Sequence, residues 1–257
     1  MRTLVIPDVH VKPEHVDFSH LEALARYICY HKPENVVFIG DFWDMPAIYT
    51  NKRANTERGK SNKKAAEGRR IWADIEAGKR AFNIIIDAIR RKQGYSPNIH
   101  FCEGNHEYEL KKYFDERPEA ISPTRSKKET VMSPTNLEDF IRGRKIRFHP
   151  FLEVFDIEGV IFSHYFRNDN GNAVQISTAH SNLYRYSHVW GHSHKWGYKQ
   201  DSDQMGGKIF WLCTGTFRRP GGIESRHWSG ISILHHNCFG DADVEQVSVE
   251  RLMSEFS

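Results

Sequence analysis

Five short clusters of acidic, amide and imidazole side chains in this chain have the types and spacing to do chemistry. They are Asp8-x-His10, Gly40-Asp41-x-x-Asp44, Gly104-Asn105-His106-Glu107, Ser163-His164 and Gly191-His192-Ser193-His194. Carboxylate, carboxamide and imidazole groups together suit borderline divalent ions such as Mn, Fe, Zn or Ni. Seven such groups are too many for one ion and about right for two ions that share a ligand.

Each cluster follows an apolar run of the kind that forms a buried strand. Helices are predicted over Phe18–His31 and Lys64–Lys92, and Ser19 with Glu22 predicts a capping box at the start of the first. The first half therefore follows a β-α-β-α-β order, and short β segments predominate from about Lys145 onward. In open α/β sheets, sites form at the carboxyl ends of strands, so we expect the five clusters to meet at one edge.

Composition and charge favour a single domain that spans residues 1–257 and binds cations and anions in different places. A chain of 257 residues, 39% hydrophobic and 27% charged, is long enough for a well-buried core. Basic insertions are expected at about 45–92 and 111–147. Residues 51–92 hold 13 Lys or Arg against 5 Asp or Glu, residues 111–147 hold 10 against 6, and the remainder holds 13 against 22. An acidic body suits cation binding, and basic segments suit an anionic substrate.

Nothing in the sequence indicates export or membrane insertion. The first residues do not resemble a signal peptide, and no apolar run approaches the roughly 20 residues of a membrane helix. The cysteines at positions 29, 102, 213 and 238 form no CxxC pair and are expected to be buried, reduced thiols. The expectation is a soluble, cytoplasmic protein without a membrane partner.

The order of the motifs DxH, GDxxD, GNHE, H and GHxH, from Asp8 to His194, resembles the calcineurin-like metallophosphoesterase superfamily. This resemblance implies an α/β fold, a four-layer αββα sandwich with a two-metal centre at the sheet edge. It also implies that a hydroxide bridging the two ions attacks phosphorus. The implied ligands are Asp8, His10 and His194 for the first metal, Asn105, His164 and His192 for the second, and Asp41 for both.

The same resemblance implies two catalytic residues beside the ligands. His106 would contact the reacting phosphoryl group, and Asp44 would be the carboxylate that orients His106. An imidazole that protonates the leaving oxygen contributes about 10²–10⁴-fold to the rate, and a carboxylate behind it fixes the tautomer. The implied cofactors are two divalent ions, with Mn as the first choice and Fe, Zn, Ni or Mg as alternatives.

The substrate class rests on how the sequence differs from one branch of the superfamily. Ser/Thr protein phosphatases resemble GDxxDRG at the second motif, but Met45-Pro46 follows Asp44 here, so their phosphate-clamping Arg is missing. Residues 212–216 resemble the strand-end element of the bacterial and phage-type phosphodiesterase branches. Arg218 and Arg219 follow it, either as donors to a substrate phosphate or as solvated turn residues.

A basic stretch, Lys52–Arg70, enters the chain directly after the second motif and holds eight Lys or Arg among nineteen residues. It is either a solvated loop and helix start or a surface that tracks phosphates. The leading hypothesis is a phosphodiesterase with DNA or RNA as a candidate substrate. The alternatives are a phosphomonoesterase, a cyclic-nucleotide phosphodiesterase, a Ser/Thr protein phosphatase and a catalytically inactive binding scaffold.

Overall fold

The computed structural model of the protein describes residues 1–48, 64–116, 136–183, 185–202, 207–219 and 227–257. Residues 49–63 and 117–135, which belong to the two basic segments, lie outside the described part, as do the side chains of residues 64–70. The other residues of the two basic segments are described, and most of them lie in helices and strands of the fold. The strands are β1 (Arg2–Ile6), β2 (Asn35–Phe38), β3 (Asn98–Cys102), β4 (Arg147–His149), β5 (Phe155–Ile157), β6 (Val160–Phe162), β7 (Ser187–Trp190), β8 (Trp196–Ser202), β9 (Lys208–Thr214), β10 (Gly230–Cys238) and β11 (Asp241–Ser248).

Two sheets form the centre of the fold. The first has the order β11-β10-β1-β2-β3-β4, and the second has the order β5-β6-β7-β9-β8. Strands β1 to β4 are mutually parallel, and so are β6, β7 and β9. Antiparallel strands flank each parallel group. Parallel strands put their carboxyl ends at one edge, which is where the sequence places the polar clusters.

Helices cover the outer faces of the sheets. They are α1 (Ser19–His31), α2 (Lys64–Arg91), α3 (Asn105–Asp115), α4 (Asn136–Arg142), α5 (Ala179–Asn182) and α6 (Val249–Phe256), with a 3-10 helix at Ile176–Thr178. None of the helices that the structure describes has the length and the apolar character needed to cross a bilayer.

Side-chain alternation along the strands explains the layers. In β1, Leu4 and Ile6 belong to the core under helices α1 and α2, whereas Val5 belongs to the core between the two sheets. In β7, Val189 packs between the sheets, and Trp190 packs in a third cluster on the outer face of the second sheet. Helix, sheet, sheet and helix therefore form the predicted four-layer αββα sandwich.

The start of α1 differs from the prediction. Phe18 is the N-cap, Ser19 is already helical, and no side chain caps the helix. Instead, Asp17 Oδ1 accepts a hydrogen bond from the Ser19 main-chain N–H at 2.8 Å. The capping box predicted from Ser19 and Glu22 is wrong because the helix begins one residue earlier than that motif requires.

Candidate metal centre

The predicted ligands converge where the two sheets meet at their carboxyl edges. Three of them, Asp8, Asp41 and Asn105, follow β1, β2 and β3 of the first sheet. The histidines 164, 192 and 194 follow β6 and β7 of the second sheet. His10 lies on the loop after Asp8, and its main-chain N–H donates to the carbonyl of Asp41 at 3.0 Å. Each ligand is thus fixed by a strand end or by a hydrogen bond to one.

Asp41 occupies the middle of the cluster. Its Oδ2 lies 3.2 Å from His164 Nε2 and 3.9 Å from His10 Nε2. The residue is 1% exposed. Burial alone would raise the pKa of Asp41, but the charges of His164, His106 and His10 hold that pKa below its ordinary value. Asp41 is therefore poised to stay ionised between two groups of imidazoles.

The first ligand group combines Asp8, His10 and His194 with Asp41, and one side-chain donor atom from each lies within 4.8 Å of the others. His194 Nε2 is 3.4 Å from Asp8 Oδ2 and 2.8 Å from His10 Nε2. Burial lowers the pKa of His194 to about 3, and the charges of His10 and Arg218 add to that shift. Neutral imidazole is the form that binds a metal ion.

The second ligand group consists of Asn105, His164 and His192 beside Asp41. Asn105 Oδ1 lies 3.1 Å from His164 Nε2 and 2.7 Å from His192 Nδ1. His164 Nδ1 donates to the carbonyl of Ile39 at 2.8 Å, so its Nε2 faces two oxygens, one each from Asp41 and Asn105. A proton or a metal ion must lie at that nitrogen, because a bare lone pair would repel both oxygens.

The chemistry of this donor set fits divalent cations. Asp8 is 0% exposed, and its Oδ1 has no hydrogen-bond partner among the described residues. Burial raises the pKa of Asp8 to about 8, and nearby Asp41 adds to the rise. A buried carboxylate with an oxygen left unpaired is unfavourable unless a cation compensates it.

Four of the ligands have an unusual backbone conformation. The φ angles are positive at His10 (52°), Asp41 (49°), His192 (65°) and His194 (58°). Residues other than glycine rarely adopt this left-handed region, and such strain concentrates at functional sites. The surrounding hydrogen bonds, including His192 N–H to Asp8 Oδ2 at 2.9 Å, hold this conformation in place.

Two motif glycines allow the strand ends to approach each other closely. A Cβ atom on Gly191 would lie 2.2 Å from Asp8 Oδ1, and one on Gly104 would lie 2.2 Å from both the main-chain nitrogen and Oδ1 of Asp41. Real Cβ contacts are never this short. These glycines are thus required by the geometry of the site.

Glu107 has a structural role that the sequence motif did not reveal. It is 2% exposed, and its carboxylate accepts main-chain hydrogen bonds from Trp43 (2.9 Å), Asp41 (3.1 Å) and Gly104 (2.9 Å). Burial raises the pKa of Glu107 to about 8, with Asp41 as the next cause. Glu107 ties the loop after β2 to the loop after β3, which carry Asp41 and Asn105.

Removing this tie is expected to weaken both fold and site. In Glu107→Ala, three buried N–H groups lose their acceptor, at about 1–3 kcal/mol each, so we expect unfolding free energy to fall by about 3 kcal/mol or more. Urea unfolding measures the loss, and calorimetry should show weaker Mn²⁺ binding. Glu22→Ala, which removes an exposed pair with Arg26, is the control and should change stability by less than about 1 kcal/mol. Equal effects of the two variants would contradict this role for Glu107.

Asp44 contacts His106 in a different way from the one that the resemblance implied. The main-chain oxygen of Asp44 accepts the hydrogen bond from His106 Nδ1, whereas Oδ1 of its carboxylate lies 2.8 Å from His10 Nδ1. The Asp44 main-chain N–H donates to the carbonyl of Val11 at 3.1 Å, which brings the carboxylate of Asp44 beside the loop of His10. The expectation that this carboxylate orients His106 is therefore corrected: it orients His10, and the carbonyl orients His106.

The two arginines after β9 have different surroundings. The positive charge of Arg218 adds to the larger effect of burial in lowering the pKa of His10 and of His194. Arg219 Nη2 forms an ion pair with Asp17 Oδ2 at 2.8 Å. Arg218 therefore acts electrostatically on two candidate ligands, whereas Arg219 pairs with a side chain outside the site.

Two further side chains beside the ligands were not identified from the sequence. The ring of Tyr165 lies 4.5 Å, centroid to centroid, from that of His192, and the ring of His227 lies 6.3 Å from that of His194. Tyr165 directly follows the ligand His164, and this adjacency is the one sequence signal that points to it. His227 lies outside all five motifs and carries no such signal.

The solved structures that match this chain include three phosphoesterases or phosphatases. YfcE, a phosphoesterase from E. coli, is 10% identical, with 97% of this chain and 100% of that chain covered and a TM-score of 0.41. A predicted phosphoesterase from Streptococcus pneumoniae TIGR4 is 12% identical, with 97% and 90% covered and a TM-score of 0.38. A dimetal phosphatase from Danio rerio is 11% identical, with 97% and 96% covered and a TM-score of 0.37.

No curated protein matches this sequence. The model of the calcineurin-like phosphoesterases matches residues 1–212. That range is most of the chain and includes every predicted metal ligand. The chain therefore belongs to the calcineurin-like phosphoesterase family and is a metal-dependent phosphoesterase.

Proposed function

We propose that this phosphoesterase uses two divalent ions, Mn²⁺ in the first instance, to hydrolyse phosphodiesters. The observation that carries the proposal is the position of Asp41, whose Oδ2 lies 3.9 Å from His10 Nε2 in one ligand group and 3.2 Å from His164 Nε2 in the other. A carboxylate with imidazoles on both sides is suited to bridge two ions. Asp8, His10 and His194 would hold the first ion, and Asn105, His164 and His192 the second.

Two divalent ions, when bound, lower the pKa of a water molecule and withdraw charge from the phosphoryl oxygens. The protein's part is to orient the ligands. The carboxylate of Asp44 accepts from His10 Nδ1, and the carbonyl of Ile39 accepts from His164 Nδ1, so both rings direct Nε2 at the centre. Partners behind a ligand fix its tautomer in this way.

His106 is the proposed proton donor to the leaving oxygen. Its Nδ1 is bonded to the main-chain oxygen of Asp44, and its Nε2 lies 4.0 Å from Asp41 Oδ2. The main-chain N–H of His106 donates to Asp41 Oδ1 at 3.0 Å, which fixes the residue against the bridging carboxylate. Because Nδ1 is bonded to the main-chain oxygen of Asp44, Nε2 is the ring nitrogen proposed to give a proton to the substrate.

A diester fits the surroundings of the site better than a protein phosphomonoester. The position that follows Asp44, where the protein-phosphatase branch has its clamping Arg, is Met45, and this side chain is 0% exposed in the core. A diester carries one negative charge rather than two, so it depends less on such a clamp.

An assay of the Mn²⁺-loaded protein tests this function. We expect hydrolysis of bis-p-nitrophenyl phosphate with a kcat/KM above that for p-nitrophenyl phosphate, and two Mn²⁺ per chain by elemental analysis. A preference for the monoester or for a cyclic nucleotide would replace the proposal with the corresponding alternative. Two bound ions without turnover on any ester would favour the binding scaffold.

Nucleic acid is the proposed polymeric substrate because the sequence contains the basic stretch Lys52–Arg70. The side chains of this stretch lie outside the described part of the structure. Hydrolysis of single-stranded DNA or RNA by the wild type should fall steeply between about 50 and 200 mM salt, whereas an aryl diester should be nearly unaffected. Replacing Lys60, Lys63 and Lys64 with Gln should flatten that salt dependence. The control is replacement of Lys32, Arg91 and Lys92 with Gln. These residues are exposed and lie at the C-terminal ends of α1 and α2. Equal salt slopes for both triple variants would rule out a role of the stretch in nucleic-acid binding.

A further inference from the structure

A row of three aromatic rings extends from the second ligand group, and we infer that it is a subsite that stacks a base of a nucleotide substrate. The row is Tyr108, Phe151 and Tyr165. This inference rests on the proposed phosphodiesterase function and adds to it the chemical class of the substrate: a phosphodiester of a nucleoside rather than of a simple alcohol.

The rings follow one another at contact distances. The ring of Tyr165 is 4.5 Å from that of His192, and the two planes are 34° apart. Phe151 meets Tyr165 edge to face at 5.5 Å and 72°. Tyr108 stacks on Phe151 at 4.6 Å and 16°. These centroid separations are those of favourable aromatic pairs, so the row is a continuous apolar surface that begins at a metal-ligand candidate.

The row is anchored by the same elements that position the ligands. Tyr165 follows His164 directly, and Tyr108 lies in the first turn of α3, three residues after Asn105. The main-chain N–H of Phe151 donates to Glu103 Oε2 at 2.9 Å, and Glu103 immediately precedes the Gly104 motif. A group bound to this row is thus held in a defined place relative to the centre.

Exposure is what distinguishes this row from ordinary core. Phe38, Phe82 and Phe101 also form a contacting group, and each is at most 1% exposed. Tyr108, Phe151 and Tyr165 are only half-buried. Half-buried aromatic rings beside a polar, cation-binding centre suit a ligand with one flat apolar part and one anionic part. A nucleotide has both parts at the required proximity, and stacking on aromatic side chains tolerates any base.

The test compares two diesters with the same leaving group, thymidine 5′-p-nitrophenyl phosphate and methyl p-nitrophenyl phosphate. For the Mn²⁺-loaded wild type we expect the KM of the thymidine ester to be lower by on the order of tenfold. In Phe151→Leu this KM ratio should fall toward one. Tyr108→Leu is the second variant, in case the first does not fold, and Tyr165→Phe, which keeps the ring, should retain the ratio.

Phe239→Leu is the matched control. Phe239 is 78% exposed and lies in the turn between β10 and β11, so its replacement should leave the ratio at the wild-type value. Equal KM values for the two diesters in the wild type would overturn the inference, as would an unchanged ratio in both Phe151→Leu and Tyr108→Leu.

Binding separates this inference from the proposed function. Thymidine 5′-monophosphate and methyl phosphate can be titrated calorimetrically into the Mn²⁺-loaded wild type and Phe151→Leu. If neither diester is hydrolysed but the nucleotide loses its affinity advantage in Phe151→Leu, the phosphodiesterase proposal fails and the subsite stands. If the diesters are hydrolysed but the nucleotide binds no better than methyl phosphate, the subsite fails and the phosphodiesterase proposal stands.

Discussion

Asp41→Ala should weaken metal binding and remove most of the turnover. Asp41 is the carboxylate that faces both ligand groups, and its Oδ1 also holds the main-chain N–H of His106. Loss of a partner behind a ligand typically costs 10–100-fold in metal affinity or activity, and loss of the shared ligand should exceed that. We expect kcat/KM to fall by at least about 10³-fold, with fewer than two ions retained.

Elemental analysis and steady-state kinetics on the same preparation check this result. Asp156→Ala, in which an exposed carboxylate on β5 is removed, controls for a general effect of lost charge and should keep both ions and full activity. Retention of two tightly bound ions by Asp41→Ala would show that Asp41 does not bridge them.

His106→Ala should separate chemistry from metal binding. The ring is held by the main-chain oxygen of Asp44. If His106 protonates the leaving oxygen, kcat on an alkyl phosphodiester should fall by about 10²–10⁴-fold, while both ions stay bound. The loss should be much smaller for p-nitrophenyl esters, because that leaving group departs without a proton.

The dependence on the leaving group is the decisive measurement, since a merely structural role would lower kcat equally for all esters. His235→Ala, which removes a histidine paired with Glu245 on the first sheet, is the control and should leave both rates unchanged. An emptied metal site in His106→Ala would instead make His106 a ligand.

Much of the fold could be predicted from sequence because its central strands are buried on both faces. β1 and β2 are continuous apolar runs, and the polar residues that follow them mark the strand ends. β8 was not predicted, because it is an edge strand whose residues from Lys199 onward are exposed and lack an apolar alternation. Helix α6 was missed as well. Its signal was Ser248, whose side chain accepts from Arg251 N at 3.2 Å as an N-cap.

Residue types indicated five polar clusters, and the resemblance to a known family implied a ligand set, but neither gave the contacts behind the candidate ligands. Motif spacing places Asp44 and Glu107 near the metal centre, but it does not say which atom of Asp44 meets which ring. That depends on the backbone path between Val11 and Asp44. Similarly, Phe151 reaches the site through a hydrogen bond to Glu103, 48 residues away in sequence.

The left-handed backbone at His10, Asp41, His192 and His194 suits the function of the protein but lowers the stability of its fold. A residue with a Cβ atom in that region costs of order 1–3 kcal/mol, and glycine would avoid most of the cost. A sequence chosen for stability alone would therefore have glycine at all four positions. Because these four positions carry imidazole or carboxylate side chains, the metal-free fold is less stable than it could be. Cations that bind the folded protein would raise its stability by mass action. In this protein, four residues that are candidates for the chemistry are therefore also residues with a strained backbone.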